Sequence, residues 1–337
     1  IWTDEIARAA TDIGLRVDLA PCIHQAIEHP DSKSIEDDLA TAEIMIRKWH
    51  GTANGRIRYR IQPEISFFCQ EWVFEACAKL ANQYGVGLGT HIAEDQASTS
   101  KAKKIWPEGE LQKLHRTGFI GPNTLLFHGN LLQGDELKLL AETGAAIAHC
   151  PVSNLKRGLV AAVPEMMRLG VKVGLGVDYP NNDLFNVMRI ASLIHTILPA
   201  DHKGITEKDA FFLATQGGAN ALGIGDEVGS IAIGKKADII ALDTRNSTRL
   251  FPVWEDNVIN IIRLNGNGQD VSDVIVDGNI LMNDRKILVC NEQEIVERGL
   301  AQQKKFRETY RSYSEQKKPF VGVRNEALLN MAPQEET

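Results

Sequence analysis

Short apolar runs alternate along this chain with longer stretches whose apolar positions recur every third or fourth residue. The first pattern predicts buried strands, and the second predicts helices with one face on a core. LRVDLAP (15–21), RIRYRIQP (56–63), VGLGTH (86–91), TLLFH (124–128), AAIAHC (145–150) and VKVGLGVD (171–178) read as strands. Helices are expected over 34–50, 70–84, a region reaching to about 117, 134–144, near 161–169, 184–198 and 206–222. Ser34 and Asp37 have the spacing of an N-terminal capping box, while Gly144 and Gly223 stand where helices stop. Six βα units with short connections predict a parallel sheet covered by helices. The strands are rich in Val, Leu and Ile and read as buried on both faces. A doubly wound sheet could hold six such units, whereas a (β/α)8 barrel needs eight.

After Gly225 the texture changes. EVGSIAIGKKADIIALD (227–243) has short strands punctuated by glycine, and DVSDVIVDGNILMNDRKILV (270–289) reads as a hairpin turning at Asp277-Gly278. Residues 292–315 read as a charged helix, followed by a polar tail expected to be partly disordered. The expected division is therefore 1–224 for the βα units, 225–290 for a small β-rich module and 291–337 for the helix and tail.

Composition narrows the class. Of 337 residues, 43% are hydrophobic and 24% charged, which suits a globular chain with a sizeable core. The net charge of −7 disfavours a nucleic-acid partner, since phosphate binding needs clustered Lys and Arg. No stretch reaches the roughly 18 apolar residues of a membrane span. The five cysteines show no CxxC spacing and read as free thiols in a reducing, cytoplasmic setting.

The candidate chemistry lies at the strand ends. Four consecutive strands end in His91, His128, His149 and Asp178, and Glu94 follows His91 by one turn. In a barrel the C-terminal strand ends converge on one face. Imidazole nitrogens and carboxylate oxygens suit a divalent ion such as Zn²⁺, which lowers the pKa of its bound water to about 7. A nearby carboxylate can then carry protons, and Glu94 has the offset for that task. His149, next to Cys150-Pro151, reads as structural. Adjacent strand residues face opposite ways, so His149 and Cys150 do not read as a nucleophilic pair. His24, in the loop after the first strand, and Arg157, in the loop after the AAIAHC strand, are candidate substrate contacts, with loop scaffolding as the plainer role. The glycines of the two VGLG segments lie within strands and read as sites of close packing.

THIAE (90–94), FHGNLL (127–132), AHCPVSN (148–154), GLGVD (174–178) and GSIAIGKKADIIALD (229–243) together resemble the amidohydrolase superfamily. The nearest branch is the cytosine deaminase-like, triazine hydrolase and adenosylhomocysteine deaminase group, over residues 5 to 290. The resemblance implies a (β/α)8 barrel with a small β-sandwich. It also implies one divalent metal, Zn²⁺ or Fe²⁺, and hydrolysis of a C–N bond by metal-bound hydroxide, most often deamination of a ring. Carried over by motif, His91 and Asp178 would be metal ligands, Asp178 also the base on the attacking water. Glu94 would be the proton shuttle, and His128 would sit beside the metal, polarising the substrate or ligating.

Three departures bear on this. The family's HxH pair at strand one is absent, and the six units match strands three to eight, so an N-terminally truncated chain is expected. Pro63-Glu64 stands where purine-handling members have Pro-His, and Glu64 would favour a cationic or amino-bearing substrate edge. The loop DYPNND after the last strand is short. Two alternatives follow: a non-catalytic partial barrel that binds a small molecule or partner, and hydrolysis of a cyclic amide or of a ring chloro or alkylamino substituent. The expected partners are a small-molecule substrate and further copies of the chain.

Overall fold

In a computed structural model of the chain, residues 2–23, 34–64, 69–178, 182–196 and 204–315 are described. The six predicted strands form one parallel sheet in chain order. The first is split into β1 (Val17–Leu19) and β2 (Cys22–Ile23). β3 (Ile57–Pro63), β4 (Gly87–Ile92), β5 (Thr124–His128), β6 (Ala146–His149) and β7 (Lys172–Leu175) follow. β1 and β2 pair in turn with the two ends of β3. The register carries Leu88–Ile92 alongside Thr124–His128, and Ala146–His149 alongside Lys172–Leu175. The sheet curls as a half-barrel like those of TIM barrels.

The helices form where the pattern puts them, with informative exceptions. Helix Ile35–Trp49 opens on Ser34 with the capping box to Asp37 intact, and Gly144 ends its helix in the left-handed region at φ 72°. The region reaching to 117 holds two helices, Gln96–Ile105 and Glu110–Arg116. The span 206–222 is likewise broken, at Thr215, into Glu207–Ala214 and Gln216–Ala221. Pro151–Lys156 is helical rather than loop, with Pro151 in the first turn, where a missing N–H costs nothing. The last strand stops at Leu175, three residues short of Asp178.

Strand parity separates two faces. Ile57, Tyr59, Ile61, Leu88, Ile92, Leu126, Ile147 and Val173 face the helices and merge with Phe74, Leu111, Leu137 and Met166 in the main core. Each such side chain contributes roughly 1.5–3 kcal/mol on burial. The other face is narrower and partly polar, which corrects the expectation of strands apolar on both sides. Leu125, Phe127, Ala146 and Ala148 pack there with Ala221, and β3 presents Arg58 and Arg60. Arg60 is buried. It donates to Asp18 at 2.7 and 3.1 Å, to the Leu88 carbonyl at 2.8 Å and to the Asn123 carbonyl at 3.1 Å. The VGLG glycines make room for this arrangement. A Cβ at Gly87 would come within 2.8 Å of the Arg60 guanidinium, and one at Gly176 within 2.7 Å of Cys150 Sγ. Arg60→Met should destabilise the fold by about 3–5 kcal/mol, because it strands the Asp18 carboxylate and takes a charged donor from the Leu88 and Asn123 carbonyls. Urea unfolding measures this, and a loss under about 1 kcal/mol would contradict it.

The small module is an antiparallel sheet of β8 (Ile239–Leu242), β9 (Val271–Val276), β10 (Asn279–Asn283) and β11 (Lys286–Ile287). Its hairpin turns at Asp277-Gly278, both with positive φ, as a two-residue hairpin turn requires. Arg16 fixes it to β1 through two hydrogen bonds to Asp238, at 2.5 and 3.0 Å. Residues up to Val289 form one compact unit and those from Cys290 another. In the second unit, helix Glu292–Glu315 forms as its charge pattern predicts, and the tail beyond it lies outside the described residues. Among the described residues no helix is long and apolar enough to cross a membrane.

Candidate active site

The C-terminal ends of β4, β5 and the segment after β7 carry the site. His91 lies on β4 with the parity of Gly87 and Gly89, on the narrow face of the sheet. Its ring stacks on His128 at 5.5 Å between centroids and meets Phe127 edge-on at 5.1 Å. His91 Nδ1 is buried with no hydrogen-bond partner among the described residues. Burial pushes this imidazole below its ordinary pKa, against the pull of Glu94, Asp178 and Glu64, so it is held neutral with a lone pair to give.

His128 reaches the site differently. By alternation with Leu126 it would face the helices. Instead its backbone adopts φ 71°, an uncommon left-handed conformation for a non-glycine residue. That turn ends β5 and leaves Nε2 3.6 Å from Glu94 Oε1 and 4.0 Å from Asp178 Oδ2. Nδ1 lies 3.0 Å from Asn154 Oδ1. Since that oxygen only accepts, Nδ1 carries the proton and Nε2 keeps its lone pair toward the carboxylates. Asp178 also has a positive φ, 48°, which Asp tolerates better than most residues.

Glu94 is held from several sides. Arg157 Nη2 lies 2.6 Å from its Oε1, and Asn130 donates to its backbone carbonyl at 2.8 Å. Glu64 directly follows β3. Its carbonyl accepts from Thr90 at 2.7 Å, and its charge is felt at His91. His24 lies outside the described residues.

His149 does not join this group by any hydrogen bond among the described residues. It has the parity of Ile147, is buried against His195 at 5.8 Å between ring centroids, and burial pushes its pKa down to about 3. Cys150, on the opposite parity, comes close: ligand atoms of His128, Cys150 and Asp178 all lie within 4.8 Å of one another. Burial, with Asp178 and Glu94 adding to it, pushes the Cys150 thiol up to about 12, so it stays protonated and is a poor nucleophile. Asn154, which the sequence analysis assigned no role, is the residue that meets His128 Nδ1. The signal was available: Pro151 directly after a strand starts a helix, which carries position 154 back over the strand ends.

This donor set fits a divalent ion. It offers a buried imidazole nitrogen without a partner, a second imidazole whose tautomer is set by Asn154, and a carboxylate beside it. Among the described residues, the one group of three or more His, Cys, Asp or Glu ligand atoms within 4.8 Å of one another is His128, Cys150 and Asp178; His91 lies outside it.

The model of the Amidohydrolase family matches residues 3–281. A 5'-deoxyadenosine deaminase from Methanosarcina mazei is 33% identical over 301 residues, covering 88% of this chain and 68% of that protein. A 5-methylthioadenosine/S-adenosylhomocysteine deaminase from Symbiobacterium thermophilum is 32% identical over 302 residues, with the same coverage of both. Among solved structures, an adenosine deaminase from Xanthomonas campestris with bound zinc superposes with a TM-score of 0.84. It is 23% identical and is covered to 70%, over 91% of this chain. A zinc complex of an atrazine chlorohydrolase from Arthrobacter aurescens has a TM-score of 0.79 at 24% identity, with 68% of it and 88% of this chain covered. At these identities the two structures speak for the fold alone.

Proposed function

Because this chain belongs to the amidohydrolase family, we propose that it is a metal-dependent hydrolase that removes an amino group from a nitrogen heterocycle. The observation that carries the reading is the convergence of Glu94 Oε1 and Asp178 Oδ2 on His128 Nε2, at 3.6 and 4.0 Å. The relatives named as deaminases of 5'-deoxyadenosine, methylthioadenosine and S-adenosylhomocysteine support an adenosine-type ring as the substrate.

His91 and Asp178 would hold the ion, with His128 beside it. When bound, the ion supplies Lewis acidity and makes a water acidic enough to attack at neutral pH. Asp178 takes a proton from the attacking water as its oxygen adds to the ring carbon bearing the amino group. Both protons come from the water: Glu94 carries one to the ring nitrogen, and the one taken by Asp178 goes to the departing amine. The C–N bond breaks, ammonia leaves, and the ring keeps a carbonyl. His128, donating from Nδ1 to Asn154, would turn the Nε2 lone pair toward the ion as a further ligand. Glu64 would meet an amino-bearing edge of the substrate. The free state of all five cysteines supports a reducing, cytoplasmic setting.

The test is ammonia release by protein stripped of metal with a chelator and reloaded with Zn²⁺ or Fe²⁺. 5'-Deoxyadenosine and S-adenosylhomocysteine should release ammonia only after reloading. Chloride release from a chlorotriazine, or opening of a cyclic amide, without ammonia from either nucleoside would assign a different bond. No turnover of any of these by fully loaded protein would overturn the reading.

A further inference from the structure

The Glu94 carboxylate is not held by the strand that carries it. β4 ends at Ile92, and Ala93 turns the chain with φ 46°. Glu94 therefore sits on a short turn before the helix that starts at Gln96. A glutamate on such a turn keeps its side-chain torsions unless something fixes them, and holding them costs conformational entropy. Arg157 supplies the restraint. Its Nη2 lies 2.6 Å from Glu94 Oε1, and its Nη1 donates to Ser153 Oγ at 2.6 Å and to the Ser153 carbonyl at 3.3 Å. Ser153 is buried in the helix Pro151–Lys156, which also carries Asn154. One short helix thus sets both the tautomer of His128 and the position of Glu94. The oxygen that Arg157 holds, Oε1, is the one that faces His128 Nε2 at 3.6 Å, so the pairing fixes the carboxylate at the edge of the site.

We infer that Arg157 is a positioning residue for the reaction, clamping Glu94 through Oε1 so that the carboxylate is held beside His128 for proton transfer. This rests on Glu94 being the proton shuttle. It replaces substrate contact as the role of Arg157.

The experiment uses the metal-loaded full chain and 5'-deoxyadenosine, with Arg157→Met, Arg157→Lys and Ser153→Ala each made alone, and Arg157→Met also combined with Glu94→Gln. Arg157→Met should lower kcat about 10–100-fold with KM within about 3-fold, because displacement of a reacting group by an ångström costs on that order. Arg157→Lys should recover part of the loss, and Ser153→Ala, which frees only the anchor of the guanidinium, should lose less than Arg157→Met. In the Glu94→Gln background, Arg157→Met should cost nothing further. Crystals of the Arg157→Met protein should show the Glu94 carboxylate moved away from His128 or split between conformers. A raised KM with unchanged kcat would overturn the inference in favour of substrate contact. So would an additive loss in the double variant, or an unmoved Glu94 in the crystal. If Arg157→Met does not fold, Arg157→Lys and Ser153→Ala carry the same test. Retained turnover in Glu94→Gln alone would bring down the shuttle reading itself, and this inference with it. Silent Arg157 variants beside an inactive Glu94→Gln would bring down this inference only.

Discussion

Glu94→Gln should lower kcat by about 10²–10⁴-fold, the range in which positioned proton transfer contributes, while the protein folds and binds its metal as before. Glutamine keeps the volume of glutamate, and its Oε1 still accepts from Arg157, so the 2.6 Å contact survives. It cannot take or release a proton near neutral pH. The substitution therefore removes one chemical capacity and leaves the shape of the site. Metal content by mass spectrometry and the thermal midpoint should match the parent, and the loss should appear in kcat. Turnover within a few-fold of the parent would remove Glu94 from the mechanism.

Asp178→Asn should lose turnover by more than about 10²-fold and lower metal content as well, which separates it from the first variant. The residue sits at φ 48°, a conformation that asparagine shares with aspartate at little cost. The backbone therefore stays in place, and the change is confined to charge. A neutral amide oxygen is a weaker donor to a divalent cation, and the amide cannot take a proton from an attacking water. Alanine would be a poorer test, since it adds strain at a positive φ. Equilibrium dialysis against Zn²⁺, followed by assay of the loaded fraction, measures both effects. Full metal retention with lost turnover would leave Asp178 as base alone, and unchanged turnover would overturn both roles.

The two variants differ because the residues reach the site by different routes, and those routes were unequally visible in the sequence. His91 lies within a strand, and its face follows from the parity of Gly87 and Gly89. Asp178 was also visible, as the end of a glycine-punctuated apolar run, although β7 stops at Leu175. His128 was visible as a strand end, but alternation with Leu126 points it at the helices. Only the left-handed turn at φ 71° brings it to Glu94 and Asp178. Asn154 and Arg157 stand 60 and 63 positions from Glu94 in the chain, and no periodicity connects them to it.

By itself the sequence determined the order and type of the elements, because apolar spacing, capping residues and glycine stops act between near neighbours. It determined the six parallel strands, the hairpin at Asp277-Gly278 and the strand-end set from which the chemistry is drawn. The tertiary structure decided which members of that set meet. It sent His149 into the core beside His195, turned His128 into the site, and paired Arg157 with Glu94. It also decided that β3 shows arginines to the narrow face, where glycines of β4 leave room for Arg60. The reason is physical. Helix and strand formation depends on local backbone geometry and a two- or three-residue repeat. A site depends on backbone torsions at strand ends and on hydrogen bonds between elements far apart in sequence, which take their geometry only when the sheet and its helices have packed.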